Sequence, residues 1–147
     1  MANERSEKAV IALHMKSEHH HTALLSAAIV GICHQYEMSA KKIWQVELSV
    51  TECITNIIKH AYKSQAGNSI NVTVAALKNG LEITLYDSGI PLPENILKIP
   101  VALQNKDLAD LNIRGRGLYL VRTLMDSFKY TTTREGINQQ VLFKTFS

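Results

Sequence analysis

Two apolar segments joined by an Asn-Gly pair constrain the fold of this chain more than any other feature. Residues 69–77 and 81–87 are rich in aliphatic side chains, and Asn79-Gly80 lies between them. This arrangement is the strongest short sequence signal for a β-hairpin. A second pair of strands is predicted at 128–134 and 139–146, with Glu135-Gly136 in the turn. We therefore expect an antiparallel sheet built from hairpins.

Helical patterns precede and follow the first hairpin. After a short strand at 8–15, the apolar spacing predicts a helix over 18–36. Ser39 is a typical N-cap for a long helix over 40–62, whose apolar residues form one stripe, and a short helix is predicted over 118–126. The segment from Asp87 to Gly117 contains all three prolines and is long for a plain connection. The pattern predicts an α+β fold with one sheet and helices on one face.

Length and composition predict a single domain over residues 1–147. Of the 147 residues, 46% are hydrophobic and 20% are charged, which is typical of a domain that buries a core. The net charge of +3 is too small and too scattered to indicate direct nucleic-acid binding or a polybasic membrane anchor. No apolar run reaches the roughly 18–20 residues of a membrane span, and no apolar leader is evident. A cytoplasmic location is expected.

The cysteines and the histidine triplet suggest no metal site. Cys33 and Cys53 are far apart and lack a C-x-x-C spacing, so both are expected to be reduced and packed. His19, His20 and His21 are adjacent, and adjacent helical residues point in different directions. A solvated helix start is therefore expected there.

The long helix carries an acid, an amide and an amine on its polar face. Glu52, Asn56 and Lys59 fall on one side at 100° per residue. They suit phosphoryl chemistry: the Asn56 oxygen for Mg²⁺, Lys59 for phosphate charge, and Glu52 to take a proton from an attacking hydroxyl. The alternative is an ordinary solvated helix face.

A carboxylate ends the buried side of the strand at 81–87. Asp87 is in phase with the apolar residues, because side chains alternate with period two. A buried carboxylate needs a donor or a shifted pKa, so Asp87 is a candidate acceptor for an amino group. Gly89 allows either a sharp turn or the close approach of a flat ligand. An ordinary strand-end turn is the alternative.

A glycine pair precedes the last predicted helix. Gly115 and Gly117 would leave backbone N–H groups and the positive end of the helix dipole facing a phosphate. The third glycine of a Rossmann fingerprint and the G-K-[ST] of a P-loop are both missing. Phosphate binding here would belong to neither of those folds.

In order along the chain, the three motifs resemble those of the GHKL superfamily, which includes gyrase, histidine kinases and MutL. They read Glu52-x-x-x-Asn56-x-x-Lys59-His60-Ala61-Tyr62, then Asp87-Ser88-Gly89-Ile90-Pro91, then Arg114-Gly115-Arg116-Gly117-Leu118 followed by Leu124-Met125-Asp126. From about Val10 onward, the chain most closely resembles the bacterial anti-sigma-factor serine/threonine-protein kinases.

This resemblance implies a two-layer α/β sandwich with a mixed, mostly antiparallel sheet, and an ATP site covered by a lid at about 90–114. It implies that Asp87 accepts the adenine amino group, that Gly89 lets the base pack closely, and that Glu52 is the general base. It further implies that Asn56 holds Mg²⁺ and that Lys59 adds positive charge near the phosphates. The third motif would bind phosphate and supply a catalytic arginine. That last motif contributes Gly115, Gly117 and Leu118, with Arg114 or Arg116 as the arginine.

The implied function is a serine kinase that acts in partner switching. It would phosphorylate a serine of an anti-anti-sigma (STAS) protein with ATP and Mg²⁺, bind a sigma factor, and form a homodimer. Two alternatives are the catalytic module of a histidine kinase and a nucleotide-dependent binding protein without catalysis. The histidine-kinase alternative is disfavoured, because it needs a phosphoacceptor helical hairpin that the chain does not supply.

Overall fold

A computed structural model describes residues 9–99 and 113–147, and its centre is one five-stranded sheet. The strand order is β1-β2-β3-β5-β4, and every neighbouring pair is antiparallel. The strands are β1 (Ala9–Lys16), β2 (Ser69–Ala76), β3 (Gly80–Asp87), β4 (Ser127–Thr132) and β5 (Asn138–Thr145). This confirms the predicted α+β class and the predicted strands; among the described strands no parallel pair occurs.

The three predicted helices are present with three differences: the last helix starts earlier, the long helix ends in a π-helical turn, and a short helix occurs inside the segment predicted as a loop. They are α1 (His19–His34), α2 (Ala40–Asn56), a π-helical turn (Ile57–Ala61), a short α3 (Glu94–Leu97) and α4 (Ile113–Leu124). The predicted cap is confirmed, since the Ser39 side chain accepts a hydrogen bond from the Lys42 N–H at 3.2 Å. The prediction that the last helix begins at Leu118 was wrong: glycine disfavours helix, yet Gly115 and Gly117 lie inside α4.

The helices pack against one face of the sheet and form the second layer. Alternate residues of β2 and β3 are fully buried on this face, as the period of two requires. The apolar stripe predicted for the long helix supplies the other half of the core. Its buried residues are Ile43, Val46, Val50, Cys53, Ile54, Ile57 and Ala61.

The two predicted hairpins are present, but their glycines act differently. Gly136 has a φ of +82°, which only glycine adopts readily, so it makes the β4–β5 turn possible. Gly80 is not in that region; a Cβ there would overlap the backbone of Lys144 and lie 2.6 Å from the Phe143 ring. The Asn-Gly pair therefore predicted the correct hairpin. Gly80 is needed there because β5 lies too close for a side chain, and not because of a positive φ.

Two other sequence expectations bear on the described residues. Cys33 and Cys53 are both free and buried, as predicted. Burial raises the pKa of Cys33 to about 11 and that of Cys53 further. Within 9–99 and 113–147, no helix is long and apolar enough to cross a membrane.

Candidate nucleotide site

The long helix ends in a π-helical turn that shapes one wall of the site. The Tyr62 N–H donates to the Ile57 carbonyl at 2.9 Å, an i to i+5 bond. Such a turn adds a residue to the helix, and π-turns are frequent at functional sites. Lys63 and Ser64 then have φ values of 49° and 60°, so the chain reverses sharply just beyond the turn. The predicted uninterrupted helix over 40–62 missed this change.

Gly89 packs directly against the end of the π-helical turn. A Cβ on Gly89 would lie 2.7 Å from the Ala61 Cβ and would overlap the Ala61 backbone. The Ile90 N–H also donates to the Ala61 carbonyl at 2.9 Å. Gly89 is therefore required for this backbone contact; its predicted role in admitting the base stays a prediction.

Asp87 is buried at the end of β3, with 4% of its surface exposed. Its Oδ1 accepts hydrogen bonds from the Gly89 N–H at 2.9 Å and from Asn138 Nδ2 at 2.8 Å. Burial raises the pKa of Asp87, and the two hydrogen bonds only partly oppose this rise. Within residues 9–99 and 113–147, both hydrogen bonds to the Asp87 carboxylate are accepted by Oδ1.

Asn138 on β5 is the residue that fixes the position of Asp87. It is fully buried and pairs with Asp87 across the β3–β5 ladder. Besides its bond to Asp87, Nδ2 donates to the Gly89 carbonyl at 2.9 Å, and Oδ1 accepts from the Thr132 hydroxyl at 2.8 Å. Sequence reasoning missed Asn138. The available signal was its place in phase with the buried Leu142 on β5.

Tyr62 holds the turn that follows Asp87. Its hydroxyl accepts a hydrogen bond from the Ser88 N–H at 2.8 Å and donates to the Ser69 carbonyl at 2.7 Å. Burial raises the pKa of Tyr62, with the nearby Asp87 adding to the rise. The turn is thus anchored to the π-helical wall and to β2 together.

The structure brings Glu52, Asn56 and Gly117 together. A Cβ on Gly117 would lie 2.8 Å from Glu52 Oε2 and 3.3 Å from Asn56 Nδ2. Helix α4 therefore approaches α2 closely because residue 117 has no side chain. Gly115 lies in the first turn of α4 and Gly117 starts the second. The first and third motifs thus meet at two of the residues singled out for catalysis and metal binding.

The other predicted site residues are placed less closely. Lys59 is exposed on the π-helical turn, and Arg116 is exposed on α4. Leu118 is buried, at 3% exposure. The side chain of Arg114 and lid residues 100–112 lie outside the described residues.

Asn56 and Asp87 line one small cavity between α2 and the sheet. Its volume is about 10 Å³, room for about one water molecule. Ile90 and Leu92 close one side, and the Leu92 N–H donates to the Tyr130 hydroxyl at 2.9 Å. The remaining lining residues are Ile57, Ala61, Tyr130 and Gln140. A purine ring would need the Ile90–Leu92 segment to move.

The residues present fit ATP and a magnesium ion. The Asp87 carboxylate, at the end of β3, is the kind of acceptor that an adenine amino group would require. The Asn56 amide supplies an oxygen of the kind Mg²⁺ prefers, with the Glu52 carboxylate alongside. The start of α4 brings the positive end of a helix dipole, which favours phosphate.

Comparison with known proteins identifies the family of this chain. The model of the histidine kinase-like ATPase domain matches residues 15–142. Serine-protein kinase RsbW from Bacillus cereus (strain B4264) is 31% identical over 128 residues, 86% of this chain and 78% of that protein. RsbW from Bacillus thuringiensis (strain Al Hakam) is also 31% identical, with the same 86% and 78% coverage.

A solved structure shares the fold. A chain in the crystal structure of the SiaB-SiaC complex from Pseudomonas aeruginosa aligns with a TM-score of 0.70 and 13% identity. The alignment covers 90% of this chain and 88% of that one. These matches confirm the resemblance seen in the three motifs. The chain belongs to the histidine kinase-like ATPase domain family, and the RsbW serine-protein kinases are among its relatives.

Proposed function

We propose that this protein is a serine kinase of partner switching that uses ATP and Mg²⁺ to phosphorylate an anti-anti-sigma protein of the STAS type. The observation that carries the proposal is the contact of Glu52 and Asn56 with Gly117, which sets a carboxylate beside a metal-ligand candidate and a helix start. The relatives named serine-protein kinases support the choice of serine as acceptor.

The chemistry assigns separate tasks to the described residues. Bound ATP with Mg²⁺ supplies the γ-phosphoryl group and neutralises its charge. Glu52 accepts the proton of the substrate serine hydroxyl. The serine oxygen forms a bond to the γ-phosphorus, the bond between the γ-phosphorus and the β–γ bridging oxygen breaks, and ADP is the leaving group. Asp87, held by Asn138, accepts the adenine amino group and so fixes the opposite end of the nucleotide.

Several roles in the proposal are supported by position alone. Asn56 would hold Mg²⁺, while Lys59 with Arg114 or Arg116 would add positive charge near the phosphates. Gly115, Gly117 and Leu118 would surround the phosphates at the start of α4. Phosphoryl transfer depends mainly on such positioning and charge neutralisation.

The proposal also includes sequestration of a sigma factor and a homodimer. Support for the homodimer comes from β1, an edge strand of the described sheet, whose Val10 and Ile11 are 59% and 42% exposed. An exposed apolar edge strand is prone to pair with another chain. The cytoplasmic location and the single domain over 1–147 stay predictions from sequence.

Replacing Glu52 by glutamine tests the catalytic step. Glu52→Gln keeps the size and removes the base, so ATP affinity should stay within about twofold while phosphoserine formation falls at least about 100-fold, the lower range for a general base. Calorimetry measures ATP binding, and labelled ATP with a STAS protein measures transfer. The matched control is Glu47→Gln, an exposed acid on the same helix, which should behave like the unmodified chain.

Two outcomes would count against the proposal. Unchanged phosphoserine formation in Glu52→Gln would remove the assigned base. Tight ATP binding by the unmodified chain with no phosphorylation of any STAS protein offered would favour the nucleotide-dependent binding protein instead.

A further inference from the structure

Three potential metal ligands meet where β1 leads into α1. Glu18 is the N-cap residue of α1, with an extended backbone and no capping hydrogen bond from its side chain. Its Oε2 instead lies 3.2 Å from His20 Nε2 and 3.7 Å from His21 Nε2. The carboxylate therefore faces both imidazoles.

The two histidines converge although they are adjacent in sequence. Their rings meet edge to face, with centroids 4.1 Å apart and an interplanar angle of 63°. The ligand atoms of Glu18, His20 and His21 all lie within 4.8 Å of one another. The sequence argument that adjacent residues diverge was wrong here, because both side chains reach toward the N-cap carboxylate.

The two separations between the carboxylate and the imidazoles are close to those of a tetrahedral metal ion. Zinc bonds to imidazole nitrogen and carboxylate oxygen at about 2.0–2.2 Å, so two ligand atoms in a tetrahedron are about 3.3–3.6 Å apart. The observed 3.2 and 3.7 Å lie close to that range. Three protein ligands would leave the fourth position for water, as in open zinc sites.

The ligand set also selects the class of ion. Two imidazoles and one carboxylate suit zinc and its neighbours among the transition metals, whereas Mg²⁺ and Ca²⁺ prefer oxygen ligands alone. Side-chain exposure is 34% for Glu18 and 37% for His21, so two of the ligands are partly held by the protein surface. His20 is 74% exposed and can turn toward an ion without repacking.

We propose that Glu18, His20 and His21 form a zinc site at the β1–α1 junction. The site is separate from the residues assigned to the nucleotide and does not depend on the proposed kinase activity. Zinc bound there would join the N-cap of α1 to its first turn. His21 also lines a cleft of about 420 Å³, together with Leu13 and Leu24.

Titration of the full chain with ZnCl₂ in excess MgCl₂, followed by calorimetry, tests the site. One zinc ion per chain is expected. His20→Ala and His21→Ala should each weaken zinc binding more than about tenfold. Loss of a residue that only supports a metal ligand typically costs at least about tenfold, and loss of a ligand should cost more. His19→Ala and His34→Ala are matched controls, since both histidines are exposed and neither belongs to the cluster.

Cobalt provides a second measurement. Co²⁺ in place of zinc should give the visible bands of a tetrahedral ion without thiolate charge transfer, because Cys33 and Cys53 are buried elsewhere. His20→Ala carries the test even where His21→Ala perturbs folding, since His20 is the most exposed ligand. Equal zinc affinity in His20→Ala and in the unmodified chain, or an equal loss in His19→Ala, would overturn the site.

Discussion

Removing the side chain of Asn138 should both destabilise the protein and weaken nucleotide binding. Asn138→Ala deletes three hydrogen bonds of a fully buried side chain: one to the Asp87 carboxylate, one to the Gly89 carbonyl and one from the Thr132 hydroxyl. A hydrogen bond to a charged group contributes about 1.5–3 kcal/mol and a neutral one about 0.5–1.5 kcal/mol. The free energy of unfolding should therefore fall by about 2.5–6 kcal/mol.

The measurement is urea unfolding followed by circular dichroism, with ATP affinity from calorimetry on the folded variant. Gln139→Ala is the matched control, because Gln139 is the next residue of β5 and is not fully buried. It should change the unfolding free energy by less than about 0.5 kcal/mol. Asn138→Asp keeps the side-chain volume but removes the donor, which separates the hydrogen bonds from the cavity that alanine leaves.

The expected order at neutral pH is unmodified chain, then Asn138→Ala, then Asn138→Asp. The aspartate would place a second carboxylate beside Asp87, so both buried charges would lack the amide donor. ATP should bind more weakly to both variants, since Asp87 loses its positioning contact. An Asn138→Ala protein as stable as the Gln139→Ala control would refute the reasoning that Asn138 holds Asp87.

Two further substitutions probe the same wall of the site. Gly89→Ala should lower the free energy of unfolding, measured in urea, by about 1–3 kcal/mol, because the new Cβ would overlap the Ala61 backbone. The control is Gly31→Ala inside α1, where a Cβ has open space, and it should raise the same free energy by about 0.5–1 kcal/mol. Equal effects of the two substitutions would contradict the packing argument. Asp87→Asn should abolish ATP binding yet stabilise the fold at neutral pH. Burial raises the pKa of Asp87 in the folded state, so the stability of the unmodified chain falls as pH rises from about 3.8 to that raised pKa. The urea midpoints of the unmodified chain and of Asp87→Asn should therefore converge at acidic pH, below about 3.8, and differ at neutral pH. Equal midpoints at neutral pH would refute this prediction.

Much of the fold could be predicted because local patterns and long-range packing agree. Alternation in β2 and β3, the apolar stripe of α2 and the Ser39 cap each reflect one local rule, and each is present. The predicted start of α4 was too late because the low helix propensity of glycine argued against a helix at Gly117. In the structure, the close contact with Glu52 and Asn56 requires a residue without a side chain at that position.

The candidate site was only half visible in the sequence. Asp87 could be found because its phase put a carboxylate on a buried face. Asn138 is 51 residues away, and its pairing with Asp87 depends on the register of β5 against β3, which no local pattern fixes. The π-helical turn at Ile57–Ala61 likewise lies at a tertiary contact, where Ala61 packs on Gly89. The sequence motifs therefore predicted Asp87, whereas its partner Asn138 and the π-helical turn depend on long-range strand register and packing.

The one-water cavity between Asn56 and Asp87 has a consequence for ligand affinity. Under the proposed function, a purine placed in this cavity requires molecules whose Ile90–Leu92 segment has moved outward and released the Leu92 N–H from Tyr130. The apparent dissociation constant then equals the intrinsic one divided by the fraction of molecules in that outward form. Tyr130→Phe removes the hydroxyl that holds the Leu92 N–H, so this substitution should make the outward form more common and tighten nucleotide binding, although Tyr130 itself lines the cavity.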